Sequence, residues 1–200
     1  MRSFMLVSVC GQLAAAFSVI ERPWMSDPTM PPAERAAALV AAMSVDDKVS
    51  LCHGVSGPYV GQVIVANKSL GIPPIQMNDG PQGFRAVGHA GTSTAFPSGL
   101  AIGASWDAGA AAQWGAAMGV EFAAKGANVQ LGPAMCVARV PRNGRNFEYM
   151  SGEDPVLGAK LVGPAISAIQ AQGVVANAKR KWIYFRSASV PGYYRICDPF

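Results

Sequence analysis

Charged side chains that could bind a ligand occur at three places along the chain, each just after an apolar segment. Asp79 and Arg85 lie in MNDGPQGFR, three arginines follow between residues 139 and 145, and Lys179 comes directly after GVVANA. A carboxylate can accept paired hydrogen bonds from neighbouring hydroxyl groups, whereas arginine and lysine donate them. Together these residue types suit a ligand that carries many hydroxyl groups.

Most of the ionisable residues also have a structural interpretation. Asp79 could simply begin a turn, and the arginine run could form a solvated loop. Glu153 and Asp154 suit a helix N-terminus, where carboxylates favour the helix dipole, better than an acid–base pair. His53 and His89 have no Ser, Cys or metal-ligand pattern near them and are expected to be structural or at the surface.

Helical and strand patterns alternate along the chain. Predicted helices span 31–43, 44–51, 107–126 and 153–172, and predicted strands span 73–79, 100–105, 127–133 and 173–179. Strands separated by helices predict an α/β fold with a parallel sheet and right-handed crossovers. The charged residues then lie just beyond the carboxyl ends of strands.

The predicted strands are too few for a closed barrel of this class. A (β/α)8 barrel needs eight strands and around 250 residues, whereas this chain of 200 residues shows about four. The sequence therefore predicts a partial barrel with two unpaired edges. Such barrels bind substrates at the C-terminal face, where the charged residues are expected.

The positive charge is concentrated at one end of the chain. Residues 1–178 hold eleven Lys plus Arg and eleven Asp plus Glu, so the formal net charge of +4 comes entirely from residues 179–200. The high pI is therefore a property of this end of the chain and not of a basic face on a folded domain, so it is weak evidence for a nucleic-acid partner and none is expected.

The N-terminal twenty residues, MRSFMLVSVCGQLAAAFSVI, have a positive start followed by a short apolar run with small residues. This pattern predicts a secretory signal peptide over 1–20, with a buried helix or a membrane anchor as alternatives. A secreted, extracellular protein without a membrane segment after cleavage follows. Asn67 begins a glycosylation sequon, which suits that location. The cysteines form no metal-ligand pattern.

Several longer motifs support a family resemblance. MNDGPQGFR, TAFPSGLAIGASWD and the run from GANVQLGP through GRNFEYMSGEDP to GVVANAK resemble, in order and spacing, the N-terminal domain of family 3 glycoside hydrolases, most closely the secreted β-glucosidases. The resemblance covers roughly residues 30–179. It implies that the chain holds about the first half of a (β/α)8 TIM barrel.

The resemblance also implies roles for individual residues. Asp79 of the DGP motif and Arg145 of the GRNFE motif would contact hydroxyl groups of the terminal sugar, as would Lys179, the first member of a Lys-His pair. Arg180 stands where the histidine is expected. Arg85 would lie at the rim of the site.

The activity implied by the resemblance is hydrolysis of a β-glucoside or oligosaccharide from its non-reducing end, with retention and without a metal or cofactor. Xylosidase and N-acetylglucosaminidase activities stay open. The family's nucleophile and acid/base are expected to lie beyond the chain, because the resemblance ends near residue 179 and residues 180–200 diverge into a basic, aromatic tail. The barrel segment 21–179 would then be inactive alone. A non-catalytic fragment that binds carbohydrate or associates with itself is the alternative, and the oligomeric state is unknown.

Overall fold

A computed structural model describes residues 22–65, 67–86 and 92–179. The predicted signal peptide, His89 and the tail from residue 180 lie outside the described residues. The elements are helices α1 (Pro23–Ser26), α2 (Pro32–Ala42), α3 (Val45–Leu51), α4 (Gly99–Ala104), α5 (Ala108–Ala124) and α6 (Pro155–Gln170), strands β1 (Gly61–Val63), β2 (Ile75–Asp79), β3 (Val129–Leu131) and β4 (Val175–Ala176), and 3-10 turns at Lys68–Leu70 and Asn146–Glu148.

The four strands form one mixed sheet in the order β1-β2-β3-β4. β2, β3 and β4 are parallel, as predicted, and Asp79 is level with Leu131 in the pairing of β2 with β3. β1 is antiparallel to β2, so the prediction of a purely parallel sheet is wrong at this edge. A parallel bridge between Ala134 and Lys179 continues the alignment beyond the ends of β3 and β4.

The predicted strand at 100–105 is wrong, because this segment forms helix α4. The Ser98 hydroxyl accepts a hydrogen bond from the amide of Ala101 and so caps the helix. Gly99 is buried together with Ile102 and Gly103, which follow it by three and four residues, as on one face of a helix. The six-residue apolar run did not distinguish a buried strand from a short buried helix.

A buried apolar cluster lies mainly between α5 and α6. It is built from large apolar side chains of both helices, together with Ile102 and Met150. Gly115 of α5 permits the close crossing, since a Cβ there would lie 2.5 Å from the carbonyl oxygen of Ala165 in α6. Both helices begin as predicted, because Asp107 and Asp154 accept hydrogen bonds from amides in the first turns.

Candidate functional site

Asp79, at the carboxyl end of β2, faces two cations. Its Oδ2 lies 3.3 Å from Nη1 of Arg85, and its Oδ1 lies 3.8 Å from Nζ of Lys179. The Asp79 side chain is 32% exposed, so a ligand from solvent can reach it. Arg85 also borders a cleft lined by Tyr59, Phe84 and Lys125.

Arg145 is connected to Asp79 and Lys179 through Glu148, a carboxylate that the sequence did not single out. Its Nε and Nη2 donate to the two oxygens of Glu148 at 2.6 and 2.8 Å. Glu148 Oε2 lies 3.9 Å from Lys179 Nζ, so Lys179 stands between two carboxylates. We call Asp79, Arg85, Arg145, Glu148 and Lys179 the charged cluster. The three residues predicted to contact the sugar, together with Arg85 at the predicted rim, thus form one connected set of ion pairs.

Two buried amides hold the turn that carries Asp79. Asn78 donates from Nδ2 to the carbonyl of Arg85 and accepts the Asp79 amide hydrogen at Oδ1, both at 3.0 Å. Gln130 of β3 donates to the carbonyl of Gly80 at 2.8 Å. Gly80 itself must lack a side chain, because a Cβ would lie 2.3 Å from the ring of Phe122. The turn is therefore fixed from the helix side of the sheet.

Helix α4 holds the segment that carries Glu148. A Cβ on Gly99 would lie 2.2 Å from the carbonyl oxygen of Glu148, and one on Gly103 would lie 2.5 Å from that of Met150. The helix and the backbone of this segment are therefore in direct contact. The spacing of Arg145 and Glu148, three residues apart in GRNFE, was the available signal for their pairing.

The other charged candidates lie elsewhere. Arg139 and Arg142 are exposed, and Arg139 borders a groove along α6 that Cys136 also lines. Asp154 caps α6, which confirms the structural interpretation of that residue. His53 is exposed and its Nδ1 contacts the carbonyl of Val49 at 3.0 Å, in agreement with a surface role.

Two side chains of the Arg145 segment have displaced pKa values. The paired hydrogen bonds to Glu148 raise the pKa of Arg145 above its already high ordinary value. Burial raises the pKa of Tyr149, whose hydroxyl accepts a bond from Asn143 Nδ2 at 3.4 Å. Arg145 therefore stays charged throughout the pH range in which the protein is folded.

The raised pKa of Tyr149 predicts a loss of stability at alkaline pH. An unfolded tyrosine ionises from about pH 10, while the folded state keeps Tyr149 protonated, so rising pH favours unfolding until the folded pKa is passed. Tyr149→Phe is expected to remove this contribution, up to about 1.4 kcal/mol per pH unit. Melting temperatures between pH 9 and 11 check it, and parallel curves for the two proteins would contradict it.

Within the described residues, no group of three or more His, Cys, Asp or Glu side chains is arranged to hold a metal ion. Among the same residues, no helix has the length and apolar character needed to cross a membrane.

A comparison with protein families identifies the domain that contains these residues. The glycosyl hydrolase family 3 N-terminal domain matches residues 54–182. The chain belongs to this family. A family 3 match that includes β2, β3, β4 and the charged cluster confirms the predicted partial (β/α)8 barrel.

The similar proteins are β-glucosidases. The β-glucosidase BoGH3A of Bacteroides ovatus is 36% identical over 195 residues, which cover 90% of this family 3 chain and 25% of the relative. The probable β-glucosidase A of Emericella nidulans is 43% identical over 148 residues, 72% of this chain and 17% of the relative. The solved β-glucosidase DesR of Streptomyces venezuelae, in complex with D-glucose, has a TM-score of 0.68 and 38% identity over 72% of this chain and 18% of its own. The chain thus spans a quarter or less of these proteins.

Proposed function

We propose that the charged cluster is part of the subsite that binds the terminal glucose of a β-glucoside in a family 3 β-glucosidase. The observation that carries the proposal is Asp79, a partly exposed carboxylate at the end of β2, with Lys179 from the end of β4 beside it. Vicinal hydroxyl groups can donate to the carboxylate while the ammonium group donates to a third. The similarity to a β-glucosidase solved with D-glucose supports this choice of sugar.

The proposed reaction is hydrolysis with retention, in which a nucleophilic carboxylate and an acid/base carboxylate lie about 5 Å apart across the scissile bond. We assign neither role to Asp79 or Glu148. Both carboxylates already face cations, and Glu148 is locked against Arg145 through both oxygens. The described residues would hold and orient the sugar, and the two reacting carboxylates would come from outside them.

Glucose binding by the 200-residue chain tests this function. Titration with D-glucose, followed by NMR, is expected to show saturable binding, with D-mannitol as a control of similar hydroxyl content but no ring. An aryl β-glucoside is expected to bind without being hydrolysed. Absence of glucose binding by the folded chain would contradict the proposed subsite, whereas hydrolysis would show that the reacting carboxylates lie within this chain after all.

We further propose that the protein is secreted, with a signal peptide at 1–20, a barrel segment at 21–179 and a separate tail at 180–200. The basic start and apolar run of residues 1–20 support the signal. Recovery from the medium of a secreting host, with residues 1–20 removed, is the expected result; retention of these residues would contradict it.

Asn67 is the proposed glycosylation site. It is exposed, and its Oδ1 accepts the amide hydrogen of Ser69, the third residue of the sequon, at 3.1 Å. Protein secreted by a eukaryotic host is expected to carry one glycan, detected by mass spectrometry and lost in Ser69→Ala. Ser69→Thr preserves the sequon and is the matched control. An equal mass of sugar on both variants would exclude this site.

A further inference from the structure

Glu148 is a buried carboxylate whose ion-pair partners, Arg145 and Lys179, both belong to the charged cluster. Its side chain is 8% exposed, and both of its oxygens accept hydrogen bonds from Arg145. Burying a carboxylate is unfavourable unless it is paired and hydrogen-bonded. The paired arrangement satisfies Glu148 and at the same time fixes the plane of the Arg145 guanidinium group, because two parallel bonds leave little freedom to rotate.

The geometry of this pair leaves part of Arg145 available. The two bonds use Nε and Nη2, and neither uses Nη1. The Arg145 side chain is 35% exposed, in contrast to Glu148. Because Nη1 takes no part in the pair and the side chain is partly exposed, Arg145 can still donate hydrogen bonds to a ligand.

Glu148 also acts on a second cation. Lys179 Nζ lies 3.9 Å from Glu148 and 3.8 Å from Asp79. Both distances exceed that of a hydrogen bond, so each carboxylate attracts the ammonium group without binding its hydrogens. Lys179 is thereby centred between the two carboxylates and can still donate its hydrogens to a ligand.

The backbone at Glu148 lies against α4, where Gly99 and Gly103 allow close contact. We propose that Glu148 is a positioning residue: it transfers the rigidity of this contact to Arg145 and Lys179 and so sets the directions from which both cations donate to a sugar. The proposal rests on the glucose subsite proposed above. Glu148 itself does not contact the sugar.

The test uses three variants of the 200-residue chain. Glu148→Gln preserves size but removes the charge and one acceptor, Glu148→Asp preserves the charge but shortens the reach, and Glu153→Gln is the control at an exposed carboxylate five residues away. Each is measured for D-glucose affinity, for melting temperature and for the NMR signal of the Arg145 Nε hydrogen. That signal reports the orientation of the guanidinium group independently of global stability.

We expect Glu148→Gln to weaken glucose binding at least tenfold and to shift the Arg145 Nε signal, while Glu148→Asp recovers part of the affinity and Glu153→Gln behaves as the unaltered chain. Unchanged affinity in a folded Glu148→Gln would overturn the positioning role alone. If Glu148→Gln does not fold, Glu148→Asp decides, since affinity equal to that of the unaltered chain would overturn the role and a reduced affinity would support it. Absence of binding by the unaltered chain would instead overturn the glucose subsite, and the positioning role with it.

Discussion

Asp79→Asn is expected to weaken D-glucose binding by tenfold or more while leaving the chain folded. The carboxylate oxygens are partly exposed and would accept two sugar hydroxyl groups, and a hydrogen bond to a charged group contributes about 1.5–3 kcal/mol. The amide retains one acceptor but has no charge. The same change also weakens the attraction for Lys179, 3.8 Å away, which lowers the affinity further.

The matched control for this prediction is Asp46→Asn. Asp46 is an exposed carboxylate in the first turn of α3, so its replacement changes the net charge equally without altering the charged cluster. Affinity measured by NMR titration should fall only for the Asp79 variant. Equal affinities for the two variants would show that glucose does not bind at Asp79.

Gly115→Val is expected to destabilise the fold at the contact between α5 and α6. A Cβ at this position would lie 2.5 Å from the carbonyl oxygen of Ala165, so α5 and α6 must separate to admit a side chain. Overpacking of this kind lowers the free energy of unfolding by about 1–3 kcal/mol.

Ala117→Val introduces the same side chain at an exposed position of the same helix and isolates the helix-propensity effect. That control should lose no more than about 0.7 kcal/mol. Urea unfolding followed by circular dichroism measures both variants. Similar losses for the two would mean that the crossing of α5 and α6 is looser than described.

Much of the fold follows from local patterns. Helix α2 has an amphipathic pattern, helices α3, α5 and α6 begin at capping side chains, and β2 and β3 are short segments bounded by turns. The prediction of a strand at 100–105 was wrong. Helix α4 is stabilised there by its cap at Ser98 and by the contact of Gly103 with Met150, a residue distant in sequence. β1 was not predicted, since three residues carry too little pattern.

The site could be predicted less completely than the fold. The sequence placed Asp79 and Lys179 at the carboxyl ends of parallel strands, which meet at one edge of the sheet, and the two side chains lie 3.8 Å apart there. The role of Glu148 as the partner of Arg145 depends on a 3-10 turn that the alternation of apolar residues does not reveal. Asn78 and Gln130 are polar residues within strands, and only the packed structure shows that each is buried and bonded to the turn after β2.

The two buried amides that hold this turn have a consequence for the thermodynamics of the proposed glucose binding. Because Asn78 and Gln130 order the backbone from Asp79 to Arg85 as the protein folds, the loss of conformational entropy in this loop precedes any encounter with a ligand. A small, weakly held molecule such as a monosaccharide offers few contacts with which to offset such a loss. A preorganised carboxylate removes the ordering of the loop from the free-energy cost of binding, so a larger share of the contact energy is expressed as affinity.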